Sequence, residues 1–236
     1  MMDRIPRYAV ITTRGERDKE LREAVAAARA QDAWVVVVDN SDRGIYLNRG
    51  IYLDDLKRLD DLKVPLTAVL HHPEQPPNLS RLWNVGLERT ENSARSVIWD
   101  VAVLNDDAIL PPDWFDRLST PMRLGGCYAA GFGPVHEPVF HRVPGLTALH
   151  ERMPGWAFLL RGEGRLRADE SLRWWCGDND LDMQARRLGG TLIMPRDEVR
   201  HLYPDQSTAT RPELQARTGV DMQLFVEKWG FRPWSI

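Results

Sequence analysis

The fold class is decided by two short apolar runs near the start of the chain, Tyr8-Ala-Val-Ile-Thr-Thr13 and Trp34-Val-Val-Val-Val38. Both are rich in β-branched residues, and the second is continuous enough for a central parallel strand that is covered on both faces. Between them, residues 16–31 place four apolar side chains at helical spacing: Leu21, Ala24, Val25 and Ala28. Together the three segments predict a βαβ unit and therefore an open α/β sheet.

The same reasoning extends to the rest of the chain. It predicts strands at residues 66–70, 96–104, 125–133, 156–160 and 191–194. It predicts helices at residues 79–87, from Pro111-Pro112-Asp113 onward, and at 171–175, 179–188 and 212–229. Residues 44–55 repeat a six-residue pattern and are interpreted as a loop and a helix start, and residues 134–154 as a loop. No low-complexity linker divides the chain, so we expect one unit.

The composition is that of a globular protein and excludes several other classes. The chain has 236 residues, 43% of them hydrophobic, and a net charge of −3 from 31 basic and 34 acidic residues. This near-neutral balance argues against a protein that coats a polyanion. No stretch reaches the roughly 18 apolar residues of a membrane span, and no signal-peptide core follows Met1, so we expect a cytoplasmic protein. Cys127 and Cys176 have no partner at the spacing of a zinc or disulfide motif.

Polar side chains follow several predicted strands, at the edge where open α/β sheets bind ligands. Asp106 and Asp107 follow the strand at 96–104. Paired carboxylates suit a hard divalent cation that also contacts a diphosphate, and a turn or helix cap is the alternative. Asp39 is placed to hydrogen-bond a base or ribose, or to form an Asx-turn. The turn at residues 12–17 lacks the G-x-G-x-x-G pattern, so a diphosphate there needs a metal or side chains.

Two further candidates lie in the second half of the chain. Asp178 and Asp180 follow Trp174 and Trp175 at a predicted helix start. A carboxylate there can act as a general base, and tryptophan faces can hold a sugar ring. Alternatively, the carboxylates favour the helix N-terminus and the tryptophans belong to the core. His201 follows the last predicted strand and can return to the same pocket as a metal ligand, although most single histidines are not ligands.

Taken in order, these segments resemble family 2 of the nucleotide-sugar glycosyltransferases. Residues 8–13 resemble the family's first strand, 35–42 its nucleoside-binding segment, and 78–86 its N-x-G-x-x-x-x-N-x-G helix. Residues 103–107, Val-Leu-Asn-Asp-Asp, resemble its metal-binding DxD motif. Further parts of the family pattern are matched by residues 155–161, Asp169-Glu170, 177–189, His201 and 225–230.

The resemblance implies an α/β protein with a GT-A fold, a single Rossmann-like open mixed sheet flanked by helices. It implies one domain over residues 1–236, with 1–110 as the nucleotide-sugar-binding half and 111–236 as the acceptor-binding and catalytic half. The sequence departs from the family pattern at three positions: Gly177 replaces a glutamate, Ser80 a glycine and Trp83 an arginine.

The resemblance also implies an inverting hexosyltransferase that moves a sugar from a nucleoside diphosphate sugar, foremost a UDP-sugar, to an acceptor hydroxyl. Asp107, with Asp106 and His201, is expected to hold Mn²⁺ or Mg²⁺ on the diphosphate, and Asp178 to act as the general base. The other expected contacts are with the donor at Thr12, Asp39 (which reads the base), Asn84 and Asp106, and with the acceptor at Trp156, Trp174, Trp175 and Asp180.

Two other functions are compatible with the same residues. One is a sugar-nucleotide nucleotidyltransferase, although residues 13–17 match its basic glycine-rich loop poorly, and the other is a non-catalytic sugar- or nucleotide-binding protein. The acceptor stays open among glycans, proteins and small molecules, and less often nucleic acids. Three arginines could meet a phosphate-bearing acceptor, but a solvated charged turn is the favoured interpretation: Arg161, Arg165 and Arg167.

Overall fold

An eight-stranded mixed sheet runs through the centre of the protein. The structure, a computed structural model, describes residues 4–42, 68–195, 199–202 and 206–235. The strands are β1 (Arg7–Thr13), β2 (Ala33–Asp39), β3 (Ala68–His71), β4 (Asp100–Asn105), β5 (Ala108–Ile109), β6 (Ala129–Gly133), β7 (Val139–His141), β8 (Thr147–Ala148), β9 (Ala157–Arg161), β10 (Thr191–Pro195), β11 (Arg200–His201) and β12 (Trp234–Ser235). The helices are α1 (Asp18–Arg29), α2 (Leu79–Ser93), α3 (Trp114–Leu124), α4 (Gly177–Leu188), α5 (Gln206–Thr210) and α6 (Pro212–Trp229).

The order of the strands in the main sheet is β3-β2-β1-β4-β9-β6-β10-β7. The first four are parallel, and their register pairs Thr13 with Asp39 and Thr12 with Asn105. Strand β9 is antiparallel to both β4 and β6, and β10 is parallel to β6. The carboxyl ends of β1, β2 and β4 therefore meet at one edge of the sheet, where ligands bind in such folds.

Each face of the sheet is covered by helices and forms its own part of the core. Because side chains alternate along a strand, Val35 and Val37 pack on one face with residues of α1 and α3. Val36 and Val38 pack on the opposite face with residues of α2 and α4. This two-sided burial confirms the predicted α/β class with an open mixed sheet flanked by helices.

Three predicted segments differ in the structure. Strand β4 begins at Asp100 rather than at residue 96, and residues 134–154 contain β7 and β8, which pair with β10 and β12. Residues 171–175 are not helical, because the backbone N–H groups of Trp174 and Trp175 bond to the Asp221 carboxylate instead of to a helical carbonyl.

The other predicted elements are present with shifted ends. Helix α2 continues to Ser93, beyond the predicted residue 87, and Asn78 caps it by accepting a hydrogen bond from the Arg81 N–H. Residues 44–55 lie outside the described residues, as do residues 66 and 67 of the predicted third strand. None of the helices within the described ranges is long and apolar enough to cross a membrane.

Candidate active site

A cavity of about 190 Å³ opens at the edge of the sheet where β1 and β4 end. Thr12 and Thr13 come from the end of β1, and Asn105 from the end of β4, with Asp106 directly after it. The remaining walls include Gly155 and seven residues with polar or aromatic side chains: Arg14, Arg17, Arg152, Trp156, Trp174, Trp175 and Asp178. His201 and Thr208 also line the cavity.

The acidic pair, Asp106 and Asp107, lies at this edge of the sheet. Asp106 lines the cavity, whereas Asp107 is fully buried. The Arg17 Nη1 atom lies 2.5 Å from Asp107 Oδ2 and 3.6 Å from Asp106 Oδ1. His201 Nε2 lies 3.4 Å from Asp107 Oδ1. The structure thus brings together the three residues that the sequence predicts as cation ligands, and adds an arginine to them.

The position of His201 is set by backbone pairing. Strand β11 pairs with β5 so that His201 lies opposite Ala108, and the Leu202 N–H donates to the Asp107 carbonyl at 3.2 Å. On its other side, the imidazole stacks on the Trp156 ring, with centroids 5.1 Å apart and an interplanar angle of 15°. A two-residue strand and one aromatic stack therefore hold this histidine at the acidic pair.

Burial dominates the electrostatics of Asp106. It raises the pKa of this carboxyl to about 6, although the Thr13 hydroxyl and the charge of Arg17 lower it. The Thr13 hydroxyl donates to Asp106 Oδ2 at 2.7 Å. A positive partner lowers the pKa of a carboxyl. The charge that Asp106 carries near pH 6 therefore depends on the positive groups beside it.

The side chains of the acidic pair suit a hard divalent cation, because carboxylate oxygens are ligands of both Mn²⁺ and Mg²⁺. The imidazole of His201 is a further ligand that Mn²⁺ accepts. Within the described residues, however, no three His, Cys, Asp or Glu side chains are already gathered as a metal-ligand set. The Arg17 guanidinium lies in the space between the two carboxylates. Asp106 and Asp107 are therefore of a residue type that binds a divalent cation, and the Arg17 guanidinium lies beside both of them.

Asp178 is the second residue of α4 and lines the same cavity. Its carboxylate packs against Gly155, where an added Cβ would lie 2.6 Å from Asp178 Oδ2. Burial raises the pKa of Asp178, whereas the charge of Arg152 and the Asn179 N–H lower it. A carboxylate whose pKa is raised is a stronger base than an ordinary aspartate and can accept a proton from a hydroxyl in the cavity.

Trp174 and Trp175 line the cavity, and so does Trp156. Their contact with an acceptor stays a prediction. Trp174 and Trp175 each donate a backbone N–H to Asp221 Oδ2 at 2.8 Å, and Asp221 is fully buried on α6. The Trp174 indole N–H donates to the Thr208 hydroxyl at 3.0 Å. Helices α5 and α6 thus hold Trp174 and Trp175 in the wall of the cavity.

Two predicted contacts are corrected by the structure. Asp180 does not line the cavity: it is fully buried and accepts hydrogen bonds from the Trp229 indole and the Asp169 N–H. Asn84 does not line it either, because its amide exchanges two hydrogen bonds with the Ala168 backbone. Both residues hold the scaffold together.

Asp39 is fully buried and lies just outside the cavity. It accepts a hydrogen bond from the Ser41 N–H at 2.9 Å, which is the turn interaction that the sequence left open as an alternative. Its Oδ1 is 3.9 Å from where a Cβ on Gly15 would lie. Its role in reading the base stays a prediction.

The comparisons with known proteins point to one fold. No protein-family model matches the sequence, and no curated protein is similar to it. Among solved structures, S. aureus TarS 1-349 in complex with UDP matches with a TM-score of 0.57 and 12% identity, over 92% of this chain and 65% of that one. A second structure of TarS 1-349 gives 0.55 and 12% over 82% and 58%, and the complex of this fragment with UDP-GlcNAc gives 0.53 and 10% over 94% and 67%.

The chain has a GT-A-like fold. At 10–12% identity the likeness shows the glycosyltransferase-type fold and nothing finer. The chain spans 58–67% of the length of these TarS fragments and 42% of the chain in a further TarS structure.

Within this GT-A-like fold, three arginines of the cavity were not predicted as site residues: Arg14, Arg17 and Arg152. The first two lie in the loop directly after β1, so the strand-end rule that selected Asp106 selects them as well. Arg152 has no such signal, because it reaches the cavity from an irregular segment whose position depends on the pairing of β8 with β12.

The three arginines that the sequence offered as an alternative acceptor contact form ion pairs away from the cavity. Arg161 pairs with Glu163 at 2.8 Å, and Arg165 and Arg167 pair with Glu91 at 3.0 and 2.6 Å. None of the three lines the cavity. These ion pairs do not support the less favoured interpretation, in which the three arginines meet a phosphate-bearing acceptor.

Proposed function

We propose that the protein is an inverting glycosyltransferase that transfers a sugar from a UDP-sugar to an acceptor hydroxyl. The observation that carries the proposal is that Asp178 and the acidic-pair residue Asp106 line one cavity at the carboxyl edge of the sheet of a GT-A-like fold. The TarS structures, which were solved with UDP and UDP-GlcNAc, support the choice of donor class.

In the proposed reaction Asp178 is the general base. It takes the proton of the acceptor hydroxyl as that oxygen attacks the anomeric carbon from the face opposite the diphosphate. The bond between the anomeric carbon and the diphosphate oxygen breaks, UDP leaves with the bonding electrons, and the configuration inverts. The raised pKa of Asp178 makes it a stronger base than an exposed aspartate.

The diphosphate is assigned to the side of the cavity that carries the acidic pair. A divalent cation, Mn²⁺ or Mg²⁺, held by Asp106, Asp107 and His201, would stabilise negative charge on the departing diphosphate. Arg14 and Arg17 border the same space and add positive charge there. The glycine pattern that otherwise cradles a diphosphate is missing from residues 12–17, so these side chains take over its role.

The size of the cavity indicates which part of the donor it holds. Its 190 Å³ is below the ~300–1,000 Å³ of pockets that enclose a whole drug-sized ligand. We assign the sugar and diphosphate to the cavity and the nucleoside to the surface beyond Arg14, where Gly15 borders Asp39. The tryptophan pair and Trp156 are then available to the sugar or the acceptor.

The first test is donor binding. A thermal-shift panel of UDP, GDP, dTDP and CDP, each with and without Mn²⁺, should show stabilisation by UDP that is largest with the metal, because a ligand stabilises the state that binds it. Asp107→Asn should remove the metal-dependent part. Stabilisation by none of the four nucleotides would contradict the proposal.

The second test is turnover. With UDP-sugars and an acceptor library, Asp178→Asn should reduce UDP release to the background while leaving UDP binding intact. Asp113→Asn makes the same chemical change at an exposed site before α3 and should leave UDP release unchanged. Release of pyrophosphate from a nucleoside triphosphate would favour the nucleotidyltransferase. UDP binding without turnover over the whole library would favour the binding protein.

A further inference from the structure

The Arg17 guanidinium lies where the proposed cation would bind. A single nitrogen, Nη1, faces both carboxylates, at 2.5 Å from Asp107 Oδ2 and 3.6 Å from Asp106 Oδ1. Arg17 precedes α1, so its backbone is held at the helix start, where its carbonyl accepts the Leu21 N–H. Only the side chain needs to move for the guanidinium to leave the pair.

The surroundings of Arg17 differ from those of a permanent buried ion pair. The Arg186–Asp182 pair, for comparison, has side chains that are 2% and 1% exposed and is closed off from solvent. The Arg17 side chain is 20% exposed and borders the cavity. It can therefore turn from the acidic pair into the cavity without opening the core.

Charge makes the two occupants exclusive. A guanidinium and a dication cannot both lie within a few ångströms of the same two carboxylates without strong repulsion in a site of low dielectric. A guanidinium that leaves the pair would be placed to bond the proposed donor diphosphate in the same cavity, an anion to which arginine bonds well.

We propose that Arg17 is the resident counter-ion of the acidic pair and that a divalent cation binds only by displacing it. The displaced guanidinium then contacts the donor diphosphate, so that cation and donor help each other to bind. This inference rests on the proposed cation site. It adds to that site the role of Arg17 as a displaceable counter-ion.

The test measures Mn²⁺ binding directly, by the loss of the free-Mn²⁺ electron paramagnetic resonance signal, without nucleotide. Arg17→Gln should bind Mn²⁺ about 10–100-fold more tightly than the original protein, the gain expected if the guanidinium occupies the pair ~90–99% of the time. Adding UDP should then tighten Mn²⁺ binding less in Arg17→Gln than in the original protein. Circular dichroism checks that the variant is folded.

Arg14→Gln is the matched control, since it removes the same charge from the same cavity, but from a side chain that pairs with Glu16 at 3.8 Å, whereas Arg17 pairs with Asp107. Equal gains in Arg14→Gln and Arg17→Gln would reduce the effect to general charge and overturn the proposal. Arg17→Lys, which keeps a charge on a shorter side chain, should fall between the original protein and Arg17→Gln and serves if the glutamine variant does not fold.

The outcomes separate this proposal from the function on which it rests. Unchanged or weaker Mn²⁺ binding in Arg17→Gln overturns the role of Arg17 but leaves the cation site standing. A double variant Arg17→Gln/Asp107→Asn should lose the gained affinity, and if it does not, Mn²⁺ binds elsewhere and the proposal is wrong. Absence of Mn²⁺ binding in every variant, with UDP still stabilising the protein, overturns both the cation site and the counter-ion while sparing the donor assignment.

Discussion

Gly177 lies so close to Ser80 that a Cβ on the glycine would stand 2.5 Å from the Ser80 hydroxyl oxygen and 3.1 Å from the Trp83 ring. These are the three positions at which the sequence departs from the glycosyltransferase family 2 pattern. In the structure they are neighbours, at the contact between α2 and the start of α4. The glutamate of the family does not fit at position 177 while Ser80 and Trp83 are in place, so the three departures belong together.

This contact predicts that Gly177 and Ser80 are energetically coupled. Gly177→Ala should lower the free energy of unfolding by about 1–3 kcal/mol, because the new methyl overpacks the site. Ser80→Gly loses the hydrogen bond from the Ser80 hydroxyl to the Leu172 carbonyl but opens the space. Urea unfolding of both single variants and the double variant should give a favourable coupling energy of about 0.5–3 kcal/mol. Strictly additive effects would show that the two positions do not share one space.

Gly155 is predicted to set the position of the Asp178 carboxylate. In Gly155→Ala the new Cβ would meet Asp178 Oδ2 at 2.6 Å and Cγ at 3.0 Å, so the carboxylate must move. We expect kcat to fall by roughly 10–100-fold, the usual result of a misplacement near 1 Å, with little loss of stability. The measurement is steady-state UDP release alongside thermal unfolding.

A matched control for this substitution is Gly219→Ala on α6. No atom lies within 4 Å of the Cβ that this change adds, and the position is exposed. Alanine there should raise the free energy of unfolding by about 0.5–1 kcal/mol through helix propensity and leave UDP release unchanged. Equal activity losses in both variants would argue against a special role of Gly155.

Most of the fold could be predicted because the pattern of apolar residues along a segment reflects which of its faces are buried. The run 34–38 is apolar at every position because both faces of β2 are covered, and strand alternation then assigns each valine to a face. Residues 171–175 could not be predicted in this way. Their backbone partner, Asp221, lies more than 45 residues away on α6, and no local pattern reports it.

The site residues that follow strand ends could be predicted from the sequence. Which residue at the start of α4 faces the cavity could not. Asp106 follows a strand, and Asp178 and Asp180 follow the tryptophans two residues apart. Residues two apart on a helix point to different sides, so only one of the two aspartates can face the cavity. In the structure Asp178 lines the cavity, whereas Asp180 is buried in the core. Which side faces the cavity depends on packing against α6, which the spacing does not contain.

Arg152 is predicted to tune the pKa of Asp178, the proposed general base. Burial raises the pKa of Asp178, and the charge of Arg152 opposes that rise. Removing the charge in Arg152→Gln should raise the pKa of Asp178 further. Because the base works only when deprotonated, the acid limb of the kcat/KM profile should move to higher pH. Arg89→Gln, an equal charge change on the exposed face of α2, should leave the profile in place. An acid limb that does not move in Arg152→Gln would mean that this limb reports another group.

Lys228 is predicted to stabilise the protein in a pH-dependent way through two carboxylates. Its ammonium lies 2.8 Å from both Asp169 Oδ2 and the buried Asp180 Oδ1. Burial alone would raise the pKa of Asp169, but hydrogen bonds from Lys228 and Ser171 outweigh it and lower this pKa to about 2. A depressed carboxyl pKa stabilises the folded state above the ordinary value of 3.8, and this contribution is lost as the pH falls toward 2.

Lys228→Gln should therefore lower the free energy of unfolding by about 1–3 kcal/mol at pH 7, because Asp180 stays buried without its counter-charge. The difference from the original protein should shrink between pH 4 and pH 2, as Asp169 of the original protein takes up a proton. Urea unfolding at pH 7, 4 and 3 measures this, with Lys19→Gln as the control because its ammonium is exposed and 3.9 Å from Glu23. A difference that stays constant down to pH 3 would show that Lys228 acts through packing of its side chain rather than through its charge.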